Sequence, residues 1–270
     1  MKKIMMAIVA TTGLLYTVTS CSSDSKSSTP SPTEKGNIDL EFDQVFGDAD
    51  LILNTQTNTT SQAEGLKIST VKYIVSNILL EKADGSTFTY PKSDSYFIVD
   101  ESNEASHVLS LTNIPAGDYT KIHFGIGVDK TQWELGLSGQ GDLYTNADAA
   151  GMVWTWAAGY KYVAFEGTFT TATVTDDTSF MVHTGKTSDT AYNYEEVTLD
   201  FPNAAQVRSD VTPDVHIYAD VAKIIDGHHK IKLEDHNSMG MGAMIMGGDI
   251  LTDIMHNVSE MFRVDHVHND

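Results

Sequence analysis

Histidine and methionine are concentrated in residues 226–270, which hold six of the ten histidines and six of the eleven methionines. Imidazole nitrogen and thioether sulfur together suit Cu(I), a soft ion, better than Mg²⁺ or Ca²⁺. His266 and His268 are two residues apart, so on a strand both imidazoles would face one side, within reach of one metal ion. Met239 and Met241 belong to a glycine-spaced segment that is either a Cu(I)-capturing loop or an apolar loop laid on a sheet. The alternative for the histidines is a solvated tail.

A second group of residues is aromatic and lies in GMVWTWAAGYKYVAFEG, residues 151–167. Trp154 and Trp156 share one face of an extended strand, and Tyr160 and Tyr162 repeat the spacing. Packing across strands is sufficient to explain such a pattern. The alternative is a pocket that uses the chemistry of an indole ring.

A third candidate is His183 in MVHTG, at the end of a predicted strand and on the same face as Met181. Composition alone does not distinguish a structural histidine from a metal ligand here. The sequence contains no Gly-x-Ser-x-Gly elbow, no P-loop and no His-Glu-x-x-His, and it has no cysteine nucleophile. We therefore expect a binding protein rather than an enzyme.

The elements that must position these residues are mostly strands. NIDLEFDQVF alternates apolar with acidic residues, which predicts a half-buried strand, and similar short segments recur at regular spacing with turn residues between them. We predict an all-β fold, an antiparallel β-sandwich or barrel-like domain of about nine or ten strands. DILTDIMHNVSEMF predicts a short C-terminal helix capped by Asp249. FRVDHVH after it predicts an extended segment in which Phe262, Val264, His266 and His268 face the same way.

The N-terminal residues 1–20 are typical of a signal peptide, with two lysines followed by an apolar stretch. They end in VTSC, which resembles a bacterial lipobox and implies that Cys21 is lipidated and anchors the protein in the bilayer. Cys21 is the only cysteine, so neither a disulfide nor a thiolate metal site is expected. We predict an outer-membrane lipoprotein that faces the periplasm or the cell surface.

The lipidated cysteine is followed by a Ser/Thr/Pro-rich stretch, and residues 21–35 are predicted to be a flexible linker. Residues 36–270 then form the folded domain, including the His/Met-rich segment 226–270. The formal net charge of −20 argues against nucleic acid as a partner, because two polyanions repel each other.

Four segments occur in a characteristic order along the chain, and they are ISTVKYIVSNILLEKADGS, LTNIPAGDYTKIHFGIGVD, GMVWTWAAGYKYVAFEG and FMVHTG. In these segments the chain resembles the MbnP-like copper-binding proteins, which are associated with methanobactin systems and include lipoproteins of Bacteroidetes-type bacteria. The resemblance covers residues 36–225 and then MFRVDHVHND.

The resemblance implies a β-rich domain that binds copper, in some members Cu(I), through histidines and a tryptophan oxidised to a kynurenine-type product. A di-haem protein of the MauG type is the implied redox partner. Trp154 and Trp156 match the tryptophan pair of the family, and His183 matches its histidine-glycine strand. His266 and His268 match a histidine-rich C-terminal end.

One departure from the family pattern concerns the tryptophans. Relatives place a histidine close in sequence to the oxidised tryptophan, whereas no histidine stands within several residues of Trp154 or Trp156. We predict a copper-binding envelope lipoprotein that acquires, stores or delivers Cu(I). The alternative is an adhesion or glycan-binding sandwich in which the tryptophans and the nearby Tyr160 and Tyr162 form a stacking platform.

Overall fold

The computed structural model describes residues 34–155 and 159–270. The predicted signal peptide, the lipidation site Cys21, almost all of the predicted linker and Trp156 lie outside the described residues. Among the residues described, no helix is both long enough and apolar enough to cross a membrane.

Strands dominate the described part of the chain. They are β1 (Lys35–Phe46), β2 (Ala49–Asp50), β3 (Asn58–Thr59), β4 (Gly65–Lys82), β5 (Thr87–Thr89), β6 (Tyr96–Asp100), β7 (Val108–Pro115), β8 (Gly117–Ile126), β9 (Val153–Thr155), β10 (Gly159–Tyr160), β11 (Val163–Thr170), β12 (Thr178–Thr184), β13 (Glu195–Val207), β14 (Asp214–Asp220), β15 (Ala243–Ile245) and β16 (Phe262–His268). The α-helices are α1 (Lys130–Trp133), α2 (Asp142–Ala149), α3 (Lys223–Asp226) and α4 (Ile250–Ser259). Short 3₁₀ turns lie at Lys92–Asp94, Glu104–Ser106, Leu137–Gly139, Leu233–His236 and Ser238–Gly240.

These strands form two large sheets and one small one. The five-stranded sheet has the order β16-β14-β1-β2, with β7 also paired to β1. The nine-stranded sheet has the order β13-β8-β4-β11-β12-β15, with β3, β5 and β6 also paired to β4, and the small sheet is formed by β9 and β10. The all-β prediction is confirmed, and ten of the described strands have five or more residues. The pairing is mainly antiparallel, but β1 with β14 and β12 with β15 run parallel.

The two large sheets pack against each other through a cluster of buried aromatic rings. Phe42 of β1 and Phe262 of β16 come from the five-stranded sheet, whereas Tyr73 of β4 and Phe124 of β8 come from the nine-stranded sheet. Phe262 makes edge-to-face contacts with Tyr73 at 5.6 Å and with Phe124 at 5.2 Å between ring centroids. Such pairs stabilise a core beyond the area they bury. The C-terminal strand is therefore part of the core.

The predicted C-terminal helix is confirmed as α4. Its apolar stripe of Leu251, Ile254, Met255 and Val258 is completely buried. Asp249 stands immediately before the helix, but its side chain makes no capping hydrogen bond, so the predicted cap is wrong. Packing of the stripe, and not the cap, fixes the position of this helix.

The extended segment after α4 is confirmed as β16, but its predicted facing is wrong. The register of β16 against β14 shifts between Val264 and His266, which is a β-bulge at Asp265. Phe262 and Val264 therefore pack against the core, whereas His266 and His268 lie on the outer face of the sheet. The extra residue breaks the simple alternation on which the prediction rested.

Candidate functional site

His183 lies near the end of β12, next to β11, where it is opposite Ala164. The imidazole is 4 % exposed, and its Nε2 lies 2.6 Å from Oε1 of Glu166 on the neighbouring strand. A carboxylate is only an acceptor when ionised, so Nε2 carries the proton and donates it to Glu166. The other ring nitrogen, Nδ1, then carries a lone pair.

That Nδ1 atom of His183 is buried and has no hydrogen-bond partner among the residues that the structure describes. Burial, the largest effect, lowers the pKa of His183 below its ordinary value. The hydrogen bond to Glu166 opposes this shift, and the Lys161 ammonium adds to it. A neutral imidazole with one nitrogen held by a carboxylate and the other one free is the arrangement of a metal-ligating histidine.

Trp154 supplies the second part of the site from β9. Its ring centroid lies 6.2 Å from that of His183, with the two planes inclined by 52°. The space for this indole depends on Gly185, where a Cβ would come within 3.0 Å of Cζ3 of Trp154 and 2.4 Å of the Tyr160 carbonyl oxygen. The glycine of MVHTG thus lets the indole ring and the Tyr160 backbone approach β12.

An open cleft adjoins Trp154. Its lining residues come from several separate segments of the chain, and they are Trp133, Trp154, Lys186, Thr187, Met246, Gly247 and Gly248. The Lys186 ammonium lies 5.3 Å from the centre of a Trp133 ring, a cation–π contact. Gly159 has a φ of +87°, and a Cβ there would come within 2.3 Å of the Trp133 ring. The cleft therefore brings together an indole pair and a thioether that no sequence spacing indicates.

The predicted methionine ligands are exposed. Met239 and Met241 are 91 % and 74 % exposed, and they precede β15. β15 runs parallel to β12 with Met244 opposite Met181, which leads the chain towards Met246 in the cleft. The methionine that lines the cleft is Met246, which belongs to the same glycine-spaced segment as the predicted ligands Met239 and Met241.

The predicted ligands His266 and His268 lie on the five-stranded sheet, whereas His183 belongs to the nine-stranded sheet. Their ring centroids are 4.5 Å apart, so the prediction that they are neighbours on one face is correct. His216 of β14 joins them and stacks on His266. The sequence analysis did not select His216, because only the strand pairing shows that it faces Glu41 and His266.

Three further histidines meet beside α4. His228 and His229 follow α3, and the ring centroids of this pair and of His256 lie between 4.9 and 5.5 Å apart. The buried amide of Asn257 fixes the turn by accepting from the His229 N–H at 2.8 Å and donating to its carbonyl at 2.7 Å. The side chain of His256 on α4 is exposed.

The two tyrosines of the aromatic stretch are core residues. Tyr160 and Tyr162 are 1 % and 0 % exposed. Their hydroxyls donate to Oε1 of Gln140 at 3.0 Å and to the Val128 carbonyl at 2.8 Å. They offer no accessible face for a ligand, which weakens the interpretation of this stretch as a stacking platform.

Comparison with known proteins identifies the family. The family model described as MbnP matches residues 35–245, which is most of the chain. The chain belongs to the MbnP family. A solved structure, MbnP from Methylosinus trichosporium, is similar to it with 14 % sequence identity and a TM-score of 0.45, over 80 % of this chain and 82 % of that one. No curated protein matches the chain.

The MbnP match contains Trp154, Glu166, His183 and the cleft residue Trp133, but it ends at residue 245. β16 and α4 come after it. The His183 centre is thus built from residues within the MbnP match, whereas His266 and His268 stand outside it.

Proposed function

We propose that this MbnP-family protein binds copper at a centre formed by His183 and Trp154. The observation that carries the proposal is the buried, unpartnered Nδ1 of His183, held beside an indole ring in a chain of this family. An unsatisfied buried nitrogen costs free energy unless a ligand occupies it. A metal ion is the ligand that a lone-pair imidazole nitrogen fits best.

The donor atoms near the centre favour Cu(I). In addition to the imidazole of His183, the thioether of Met246 lines the adjoining cleft, and soft sulfur ligands select Cu(I) over harder ions. Oxidation of Trp154 or Trp156 to a kynurenine-type product, by a di-haem partner of the MauG type, would add a carbonyl oxygen and an aniline nitrogen. The cleft beside Trp154 is where such a partner would reach the ring.

The proposal is for a binding protein that acquires, stores or delivers copper and not for an enzyme. Lipidation of Cys21 would hold it at the outer membrane, where thiols are scarce as ligands and His and Met take their place. The exposed thioethers of Met239 and Met241 are accessible to an incoming Cu(I) ion, and the same segment continues to Met246 in the cleft.

The proposal is tested by anaerobic titration of the purified protein with Cu(I) in competition with a chromophoric chelator. His183→Ala is expected to weaken the tightest Cu(I) site by about tenfold or more, because it removes the free nitrogen. His123→Ala is the matched control, since both ring nitrogens of His123 are engaged, by Thr198 at 2.8 Å and Glu81 at 3.1 Å.

Equal Cu(I) affinity in the wild-type protein and His183→Ala would contradict the proposed centre. The intact mass of protein isolated from its native envelope gives a second readout. A mass change confined to the peptide that contains Trp154 and Trp156 would support oxidation of a tryptophan. If the peptide is unmodified and Cu(I) still binds tightly, His183 remains a ligand of the copper centre and an oxidised tryptophan is excluded from it.

A further inference from the structure

The outer face of the five-stranded sheet carries acidic residues and histidines in two adjacent rows across β1, β14 and β16. The strand pairing places one residue of each strand in each row. The first row is Glu41, His216 and His266, and the second is Asp39, Asp214 and His268. Residues paired in this way have their Cβ atoms on one face, about 5 Å apart.

The imidazoles of these rows are in contact. His216 and His266 stack with their ring centroids 4.8 Å apart and their planes inclined by 19°, and His268 lies 4.5 Å from His266. One donor atom each of His216, Asp265 and His266 lies within 4.8 Å of the other two. The bulge at Asp265 brings these three donor atoms together, because it turns His266 to the outer face of the sheet directly after Asp265.

Two of these histidines have one nitrogen held by a carboxylate. His216 Nε2 lies 3.2 Å from Glu41 Oε2, and His266 Nδ1 lies 2.6 Å from Asp265 Oδ2. Within residues 34–155 and 159–270, His216 Nδ1 is buried and has no hydrogen-bond partner, and the same is true of one carboxylate oxygen of Asp214, Oδ1. An unpartnered nitrogen and an unpartnered oxygen thus occur on neighbouring positions of one strand face.

The strand that supplies His266 and His268 is fixed at its end and is not a loose tail. The Asn203 amide donates to the Val267 carbonyl at 3.2 Å, and Asn269 accepts from the Gln206 N–H at 2.7 Å. Asn269 also donates to the Ala204 carbonyl at 3.0 Å. β16 is thereby held between β14 and β13, which positions its imidazoles before any ligand arrives.

We propose that this outer face binds a divalent transition-metal ion through His216, His266 and His268, with Asp265 or Asp214 as an oxygen ligand. The donor set contains nitrogen and oxygen but no sulfur, which suits Cu²⁺ or Zn²⁺ and not Cu(I). The carboxylates of Glu41 and Asp39 add negative charge that attracts a cation. This site is independent of the copper centre at His183, which lies on the other large sheet.

The site is tested in a His183→Ala background, so that the proposed Cu(I) centre does not contribute. Titration with Cu²⁺, followed by electron paramagnetic resonance, is expected to show one ion per chain with couplings to several nitrogens, and Cu²⁺ is expected to displace Zn²⁺ that has been bound first. His216→Ala and His266→Ala should each weaken binding by about tenfold or more and reduce the nitrogen couplings.

His256→Ala is the matched control, because it removes an exposed imidazole from the other histidine cluster. Loss of the ion in His256→Ala but not in His216→Ala would overturn the proposal and assign the metal to the cluster beside α4. Unchanged Cu²⁺ binding in a variant that lacks His216, His266 and His268 would also overturn it. If His216→Ala fails to fold, the exposed His268→Ala gives the same comparison. Neither result depends on Cu(I) binding at His183, so the two proposals fail separately.

Discussion

The imidazole of His183 and the indole of Trp154 lie beside each other, 6.2 Å between centroids, although β10 and β11 separate them in the sequence. No histidine stands near Trp154 along the chain, but the fold places one there. The histidine beside Trp154 thus comes from β12 and not from the neighbouring sequence.

The carboxylate that orients His183 is expected to tune copper binding. Glu166→Gln removes the charge that holds the Nε2 proton, so we expect the affinity for Cu(I) to fall by about tenfold while the fold is retained. Chelator competition measures the affinity, and thermal unfolding checks the fold. Glu81→Gln is the matched control, since Glu81 pairs with His123 in the same way. Equal losses of Cu(I) affinity in Glu166→Gln and Glu81→Gln would indicate that removing any one negative charge weakens binding, wherever it lies.

Copper binding should persist at mildly acidic pH. Because burial lowers the pKa of His183, its nitrogen stays unprotonated below the ordinary histidine pKa of 6.5, and protons compete with the metal only at lower pH. The apparent affinity for Cu(I), measured from pH 8 to pH 5, is expected to stay flat through pH 6.5 and to fall only below that value. A decline that has already begun by pH 6.5 would contradict this expectation.

Gly185 is expected to be required for both stability and the site. In Gly185→Ala the new methyl group would meet the Tyr160 carbonyl and the Trp154 ring, so we expect a loss of about 1–3 kcal/mol in the free energy of unfolding. Denaturant unfolding measures that loss, and tryptophan fluorescence reports the indole environment. Gly247→Ala is the control in the same cleft, because a Cβ at Gly247 meets nothing within 4 Å. Similar unfolding midpoints for the two variants would refute the steric argument.

Glu101 is expected to make the protein less stable as the pH rises. Burial raises its pKa to about 7 from an ordinary value of 4.5, and the Asp43 and Asp100 carboxylates act in the same direction. Between pH 4.5 and 7 the folded protein holds a proton that the unfolded chain has lost, so this group lowers stability as the pH increases through that range.

The substitution Glu101→Gln removes this decrease of stability with rising pH. We expect it to raise the free energy of unfolding at pH 8 by about 1–3 kcal/mol, and to change it little below pH 4.5. Denaturant unfolding at several pH values measures the difference between the two proteins. The exposed Glu104→Gln serves as the control. A gain of the same size at pH 4 and pH 8 would show that the titration of Glu101 is not its cause.

The sequence predicted the features that depend on local periodicity. Alternation predicted an all-β fold of about nine or ten strands, and the apolar stripe predicted α4. His266 and His268 were correctly predicted to be neighbours, because two residues on one side of a bulge keep their relative facing.

The remaining features depend on which strands pair and in what register. The register of β11 against β12 brings Glu166 beside His183, and the pairing of β1 with β14, two strands far apart in the sequence, places Glu41 opposite His216. A bulge is likewise set by the fit of one strand against another, so the facing of Phe262 relative to His266 could not be derived from the strand alone. The parallel pairs escaped prediction for the same reason.

The parallel pairing of β1 with β14 has a consequence for the order of folding. Asp39 is aligned with Asp214, so nearly the whole of the nine-stranded sheet is encoded between the two strands that form the centre of the five-stranded sheet. Closing so long a stretch of chain is slow. The edge of β1 therefore stays unpaired until β14 folds beside it. The histidine face of β14 and β16 is complete only after that pairing. Metal binding at that face would then distinguish folded molecules from incompletely folded ones.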